Sequence, residues 1–223
     1  MAINKPLTLF AATSSPRRKG ILTRLGSDFV FIDPVGDERI RENQESVIEY
    51  VESLAIQKAV SVLEHVPENS FVFGFDTIVV YRDEVIGKPC DKLEAFKTLK
   101  KLSGNEHSVI TAVGAYGVDN KHLIKDSVIT NVYMRDFDDT EIRTYVETED
   151  PMDKAGSYAI QNDTFSPVEK IFGCYWSVVG LPVCAMSRIL TQLKLELIID
   201  NESNVPDFEK CTKCLMLSSV EKS

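Results

Sequence analysis

The chain is short of the residues and patterns that advertise most familiar chemistries. It has five cysteines (Cys90, Cys174, Cys184, Cys211, Cys214), odd in number and mostly scattered, which excludes a disulfide scaffold and predicts reduced thiols. The single close pair, "CTKC" at Cys211 to Cys214, is a lone C-x-x-C; structural zinc takes about four ligands, and no second pair is present. The three histidines, His65, His107 and His122, show neither H-E-x-x-H nor zinc-type spacing. There is no G-x-x-x-x-G-K-[ST] phosphate loop, no G-x-G-x-x-G fingerprint and no G-x-S-x-G elbow. No run approaches the ~18 apolar residues of a membrane-spanning helix, and "MAINKPLTLF" lacks the apolar core of a secretory signal. These absences predict a soluble cytoplasmic protein. Positive charge is also scarce: with a net charge of −9 the molecule as a whole is repelled by nucleic acid and by anionic membranes. A small phosphorylated ligand stays open, because local charge decides that case.

What is present is a chain of 223 residues, 43% hydrophobic, with enough apolar material for a sizeable core. "LTLFAA" (Leu7 to Ala12) is an apolar run of strand length, and Pro16 suits the first position of a helix carrying Ile21, Leu22 and Leu25 on one stripe. "DFVFIDPVGDE" reads as a second strand ending in Asp37 and Glu38. Glu45 to about Glu64 has helical spacing at Val47, Val51, Leu54 and Val62, and "SFVFGFDTIVV" is a buried-type strand continued through an Arg82-Asp83 hairpin turn. Asp91 and Glu94 form a capping box ahead of a helix that stops near Gly104. Ser108 to Val118 and Leu123 to Met134 predict an antiparallel pair, followed by a helix near Asp139 to Thr148, a strand at "CYWSVVGLP" and a final helix from Val183 to Leu197. Strands and helices alternate early and strands pair antiparallel later, which predicts a mixed α/β fold: a twisted mixed sheet with flanking helices. The composition predicts one domain over residues 1–200 and a polar, mobile tail over 201–223.

Several charged residues sit where charge is costly. Asp76 interrupts an otherwise apolar strand, and burying a carboxylate requires a partner or a metal; the end of a strand opening into a cleft is the usual way to tolerate one. A carboxylate capping a neighbouring turn is the plainer alternative. Lys58 falls on the core-facing stripe of its helix and must reach an anion or extend to water. Arg17 and Arg18 flank a helix N-terminus that already attracts anions, and Lys88 in "GKP" is exposed on a tight turn. Arg17, Arg18, Lys58 and Lys88 offer four cations; Asp37, Glu38 and Asp76 offer hard oxygen donors. A nucleoside triphosphate with Mg²⁺ needs both, and a helix dipole alone supplies only about half a charge.

At this point "SSPRRKGIL", "LAIQKA", "FDTIVV", "GKP", "LSGNEHSVITAV", "PMDKAGSYAIQ" and "VVGLP" resemble, in order and spacing, the motifs of the Maf family over roughly Leu7 to Leu193. The resemblance implies a nucleoside triphosphate pyrophosphatase related in fold to the inosine triphosphate pyrophosphatases, with two lobes around a central cleft. It implies cleavage between the α and β phosphates with Mg²⁺ or another divalent cation such as Mn²⁺. Asp76 takes the place of the family's catalytic base; Ser15, Arg17, Arg18, Lys58 and Lys88 match substrate-binding positions; Asp37, Glu38 and Asp76 match the metal-binding acids. Arg17, Thr77 and Gln161 match the positions that set specificity, and Thr77 and Gln161 resemble members acting on dTTP and UTP. Members acting on 7-methyl-GTP carry an acidic residue in place of Gln161. The resemblance further implies a homodimer, and a non-enzymatic role in blocking septum formation is the alternative from another class.

Overall fold

The long strand Ser70–Tyr81 organises the molecule. In the computed structural model, which describes residues 7–25 and 28–195, it is β3 of a seven-stranded mixed sheet. The other strands are β1 (Thr8–Ala12), β2 (Phe29–Ile32), β4 (Glu84–Ile86), β5 (Glu106–Gly117), β6 (Leu123–Met134) and β7 (Val168–Phe172), in the order β2-β1-β3-β5-β6-β7 with β4 beside β3. β1 runs parallel to β2 and β3, while β3, β5, β6 and β7 pair antiparallel. The mixed α/β sheet with flanking helices is thus the observed fold.

One edge of β3 changes partner halfway along. Ser70 to Gly74 pair with β1, and Val79 to Tyr81 pair with β4. The residues between, Phe75 to Ile78, have β5 on one side and no strand on the other. A gap in the sheet therefore opens beside Asp76 and Thr77. Asp76 was expected near a strand end; it lies in the middle of β3, and the opening comes from β1 stopping at Ala12 before β4 begins.

Side chains of β3 alternate between the faces of the sheet, as the period of two requires. Phe73 and Phe75 turn toward α1 (Pro16–Arg24), α5 (Tyr175–Val179) and α6 (Val183–Gln192), and are buried with Leu22, Leu181 and Met186. Each large side chain removed from water there contributes roughly 1.5–3 kcal/mol. On the other face α2 (Val47–Val60) lays Val51, Ala55 and Ala59 against Val72, Ile78 and Ala112. A third cluster joins β4 and β5 to α3 (Lys92–Leu102) and α4 (Asp139–Glu147) through Leu99, Val109 and Ile142.

Gly74 decides how close α2 comes. A Cβ at this position would stand 2.0 Å from the Ala55 carbonyl oxygen and 2.6 Å from the Ala59 nitrogen, both backbone atoms of α2. Gly74→Ala is expected to push the helix outward, costing on the order of 3 kcal/mol, the upper end of ordinary overpacking, and carrying Lys58 away from β3. The denaturant midpoint and kcat/KM should fall together; wild-type stability would mean that α2 does not rest on the strand.

The predicted elements are found with five differences. The second strand stops at Ile32, because Pro34 and Gly36 follow, so Asp37 and Glu38 lie on the loop after it rather than at its end. "CYWSVVGLP" is not a strand: Tyr175–Val179 is a short helix closed by Gly180 at φ 117°, whose N–H reaches the Trp176 and Ser177 carbonyls. A short apolar run does not distinguish strand from helix by period alone. The last helix ends at Gln192 rather than Leu197, with Leu193 as its cap. The capping box of α3 is half formed: Asp91 accepts from the Glu94 N–H, but the Glu94 carboxylate accepts from the Cys90 N–H, one residue upstream. β7 was missed because "VEKIF" buries little, with Val168 and Ile171 only partly covered. Cys90, Cys174 and Cys184 form no disulfide among the described residues; the Cys211 and Cys214 pair and the 201–223 segment lie outside the described residues.

Candidate active site

The gap in the sheet leads into a cleft of about 790 Å³, within the ~300–1,000 Å³ range of ligand pockets. Arg17, Arg18, Lys58, Lys88 and Lys154 line it with Asp37, Glu38, Asp76 and Asp153. Cations therefore outnumber carboxylates in the cleft of a chain whose net charge is −9.

Asp76 stands on the α2 face of β3 and is 4% exposed. Lys58, in the last turn of α2, ion-pairs with Asp76 Oδ1 and reaches Glu38 Oε1 at 2.7 Å. Of the two routes open to Lys58, an anion or water, it takes the anion. Burial pushes the Asp76 carboxyl above the ordinary carboxylate range; Lys58 and Arg18 pull it back, and the Glu38 charge adds to the rise. Glu38, half-exposed on the loop after β2, moves the other way: burial raises it, but the Lys58 contact and the Lys88 and Arg18 charges outweigh that and leave it lowered. A carboxylate of raised affinity for protons beside one held ionised is the asymmetry that acid–base sites use.

The strand-to-helix turn supplies the second wall. Ser15 caps α1, its Oγ accepting from the Arg18 N–H at 3.4 Å, so the Ser15 hydroxyl serves the helix end. Arg18 is tied on both sides: Nε donates to the Gly180 carbonyl at 2.7 Å and Nη2 to Thr77 Oγ1 at 3.1 Å. Arg17 bridges the cleft to Asp153 Oδ2 at 3.1 Å. Lys88 is exposed on the turn after β4, where the Gly87 carbonyl takes the Gly156 N–H at 3.1 Å and fastens that turn to the 155–157 segment. Gln161 is exposed at the far rim with Tyr158 and Ile160 beside it. Behind this rim His107 hydrogen-bonds the Tyr158 hydroxyl through Nε2 at 2.8 Å, and burial pulls its imidazole down to about 4, so it is neutral at pH 7.

The fold thus gathers Ser15, Arg17, Arg18, Asp37, Glu38, Lys58, Asp76, Thr77, Lys88 and Gln161 around one cleft. Of the three expected metal ligands it joins two, Glu38 and Asp76, on Lys58; Asp37 is turned to solvent, its carbonyl accepting from Gln57 Nε2 at 2.8 Å. Among the described residues no three His, Cys, Asp or Glu side chains are grouped to hold a metal. Two hard carboxylates converging on one cation nevertheless fit Mg²⁺, which is commonly bound by one or two carboxylates together with substrate phosphates. Asp153 and Lys154 were not singled out. Lys154 is buried against the Asp150 and Asp153 carboxylates, and an acid–base doublet beside Gly156 in "PMDKAG" was the available signal.

The fold and the site define a class: an α/β protein with a polyanion-sized cleft in which cations surround a buried carboxylate. The chain belongs to the Maf family, whose Maf-like protein model matches residues 8–193. It is 38% identical over 191 residues to a "dTTP/UTP pyrophosphatase" of Clostridium botulinum, covering 85% of this chain and 98% of the relative. It is 41% identical over 182 residues to one of Alkaliphilus metalliredigens, covering 82% and 94%. Among solved structures, a HAM1 protein from Coxiella burnetii overlaps 84% of this chain and 100% of its own at 13% identity and a TM-score of 0.44. Among the described residues no helix is long and apolar enough to cross a membrane.

Proposed function

We propose that this protein hydrolyses nucleoside triphosphates, dTTP and UTP foremost, to the monophosphate and pyrophosphate. The names of its relatives support the reaction, and one observation carries the mechanism: a buried aspartate paired with a lysine beside a clamped arginine in one cleft. Arg17, Arg18, Lys58 and Lys88 bind the phosphates, and Asp76, with its raised proton affinity, takes a proton from the water that attacks the α phosphorus. The bond from that phosphorus to the bridging oxygen breaks and pyrophosphate leaves. Glu38 and Asp76 would hold a divalent cation, Mg²⁺ or Mn²⁺, which would supply charge stabilisation to the phosphates. Arg17 is placed to exchange Asp153 for substrate. The protein acts in the cytoplasm as a homodimer, a state that sedimentation tests directly.

Gln161 favours pyrimidines over 7-methyl-GTP, because a neutral amide both donates and accepts toward adjacent O and N–H groups, whereas an acid suits the N–H donors of guanine. A binding-only septum regulator would have no use for a buried carboxylate of raised proton affinity. On a substrate panel read by pyrophosphate release, dTTP and UTP are expected to exceed 7-methyl-GTP clearly in kcat/KM. Gln161→Glu should weaken pyrimidine use by roughly 1–3 kcal/mol, the scale of one mismatched polar contact. A preference of the unmutated protein for 7-methyl-GTP would reject the assignment.

A further inference from the structure

The "SVITAV" segment contains a polar residue that the mechanism above does not use. Thr111, at the centre of β5 and 0% exposed, lies directly opposite Thr77 in the strand register. Its hydroxyl donates to the Ser177 carbonyl of α5 at 2.7 Å. A hydroxyl has one hydrogen, so the 2.9 Å contact between the two threonines must be donated by Thr77. Thr77 is then left with lone pairs only, and one of them accepts from Arg18 Nη2. The direction of every proton from α5 to the guanidinium is therefore set by Thr111. With Nε held by Gly180 and Nη2 by Thr77, the plane of the Arg18 fork is fixed from two directions.

We propose that Thr111 is a positioning residue for phosphate recognition, acting through Thr77 to hold the Arg18 guanidinium in its substrate-receiving orientation. This rests on the nucleotide-hydrolysing reading of the cleft. A valine has nearly the same volume, and Thr111 shares its face of the sheet with the buried Phe75 and Val113, so packing alone does not call for a hydroxyl in this layer. Without the Thr111 oxygen, Thr77 loses its acceptor and its hydrogen is free to turn toward the arginine it now receives.

The test is a double-mutant cycle of Thr111→Val and Arg18→Lys, read as kcat/KM for the best triphosphate and, separately, as the calorimetric affinity for pyrophosphate. Thr111→Val is expected to lower both about tenfold, the scale of one lost buried hydrogen bond, while Thr111→Ser keeps both within about twofold of wild type. In the Arg18→Lys background, which lacks the fork to be oriented, Thr111→Val should have almost no further effect. A merely structural role predicts the opposite: the same tenfold loss in either background. That multiplicative result, or a Thr111→Val protein as active as wild type, overturns the proposal. If Thr111→Val does not fold, Thr111→Cys, a weak donor of similar size, enters the same cycle with the same expected collapse of its effect. If the wild type hydrolyses no triphosphate, the reading of the cleft fails, and the pyrophosphate arm still decides whether Thr111 acts through Arg18.

Discussion

Asp76→Asn is expected to fold, to bind triphosphate and to lose at least about a hundredfold in kcat, within the 10²–10⁴ range of a lost general base. The amide keeps the shape of the side chain and one acceptor for Lys58, but it removes both the charge and the basic site. Arg17, Arg18, Lys58 and Lys88 remain in the cleft, so nucleotide affinity should change little or tighten as repulsion between the carboxylate and the phosphates is relieved. Pyrophosphate release and calorimetry on one preparation separate the two effects. A folded variant with near-normal turnover would take the base from Asp76 and move the search to Asp37 and Glu38.

Lys58→Met should strike the same chemistry through its pH dependence. Lys58 is the cation between Asp76 and Glu38, and it opposes the rise in the Asp76 pKa that burial causes. Without it the carboxyl rises further, because the Glu38 charge is no longer compensated. A close opposite charge is worth about 1–3 pKa units, so kcat/KM at neutral pH should fall roughly ten- to a thousandfold and recover in part as pH is raised. Stability follows the same sign. A carboxyl whose pKa is higher in the folded state holds its proton there above the ordinary carboxylate range, so stability is lost as pH rises through that window. The Lys58→Met protein should accordingly melt closest to wild type in acid and lose most above neutrality, where both carboxylates are charged and unpaired. A variant with the wild-type pH profile would separate Lys58 from the protonation of Asp76.

Much of this site was legible because its residues violate the pattern around them. An aspartate in "FGFDTIVV" and a lysine on an apolar helix stripe each announce a partner, since neither charge is cheaply buried alone. The arginine pair behind Pro16 stands out for the same reason at a helix start that is already positive. Ordinary-looking residues stayed hidden: Asp153 and Lys154 sit in a polar stretch where charge costs nothing, and Thr111 passes in a strand as a β-branched residue. The short helix at Tyr175–Val179 was misread because a five-residue, mostly apolar segment carries no decisive period.

By itself the sequence determined the alternating elements, the buried strand that carries Asp76, and the unpaired charges that demand one another. These follow from local periodicity and from the cost of burying charge, both of which act along the chain. Only the tertiary structure decided where those charges meet. The opening beside Asp76 exists because β1 ends at Gly74 of its partner strand while β4 begins only at Val79, a mismatch of lengths between strands far apart in sequence. The two proposed metal carboxylates converge, and Asp37 does not, because Lys58 draws Glu38 and Asp76 to one ammonium while the loop turns Asp37 outward. Such contacts join residues tens of positions apart, and no local propensity encodes them.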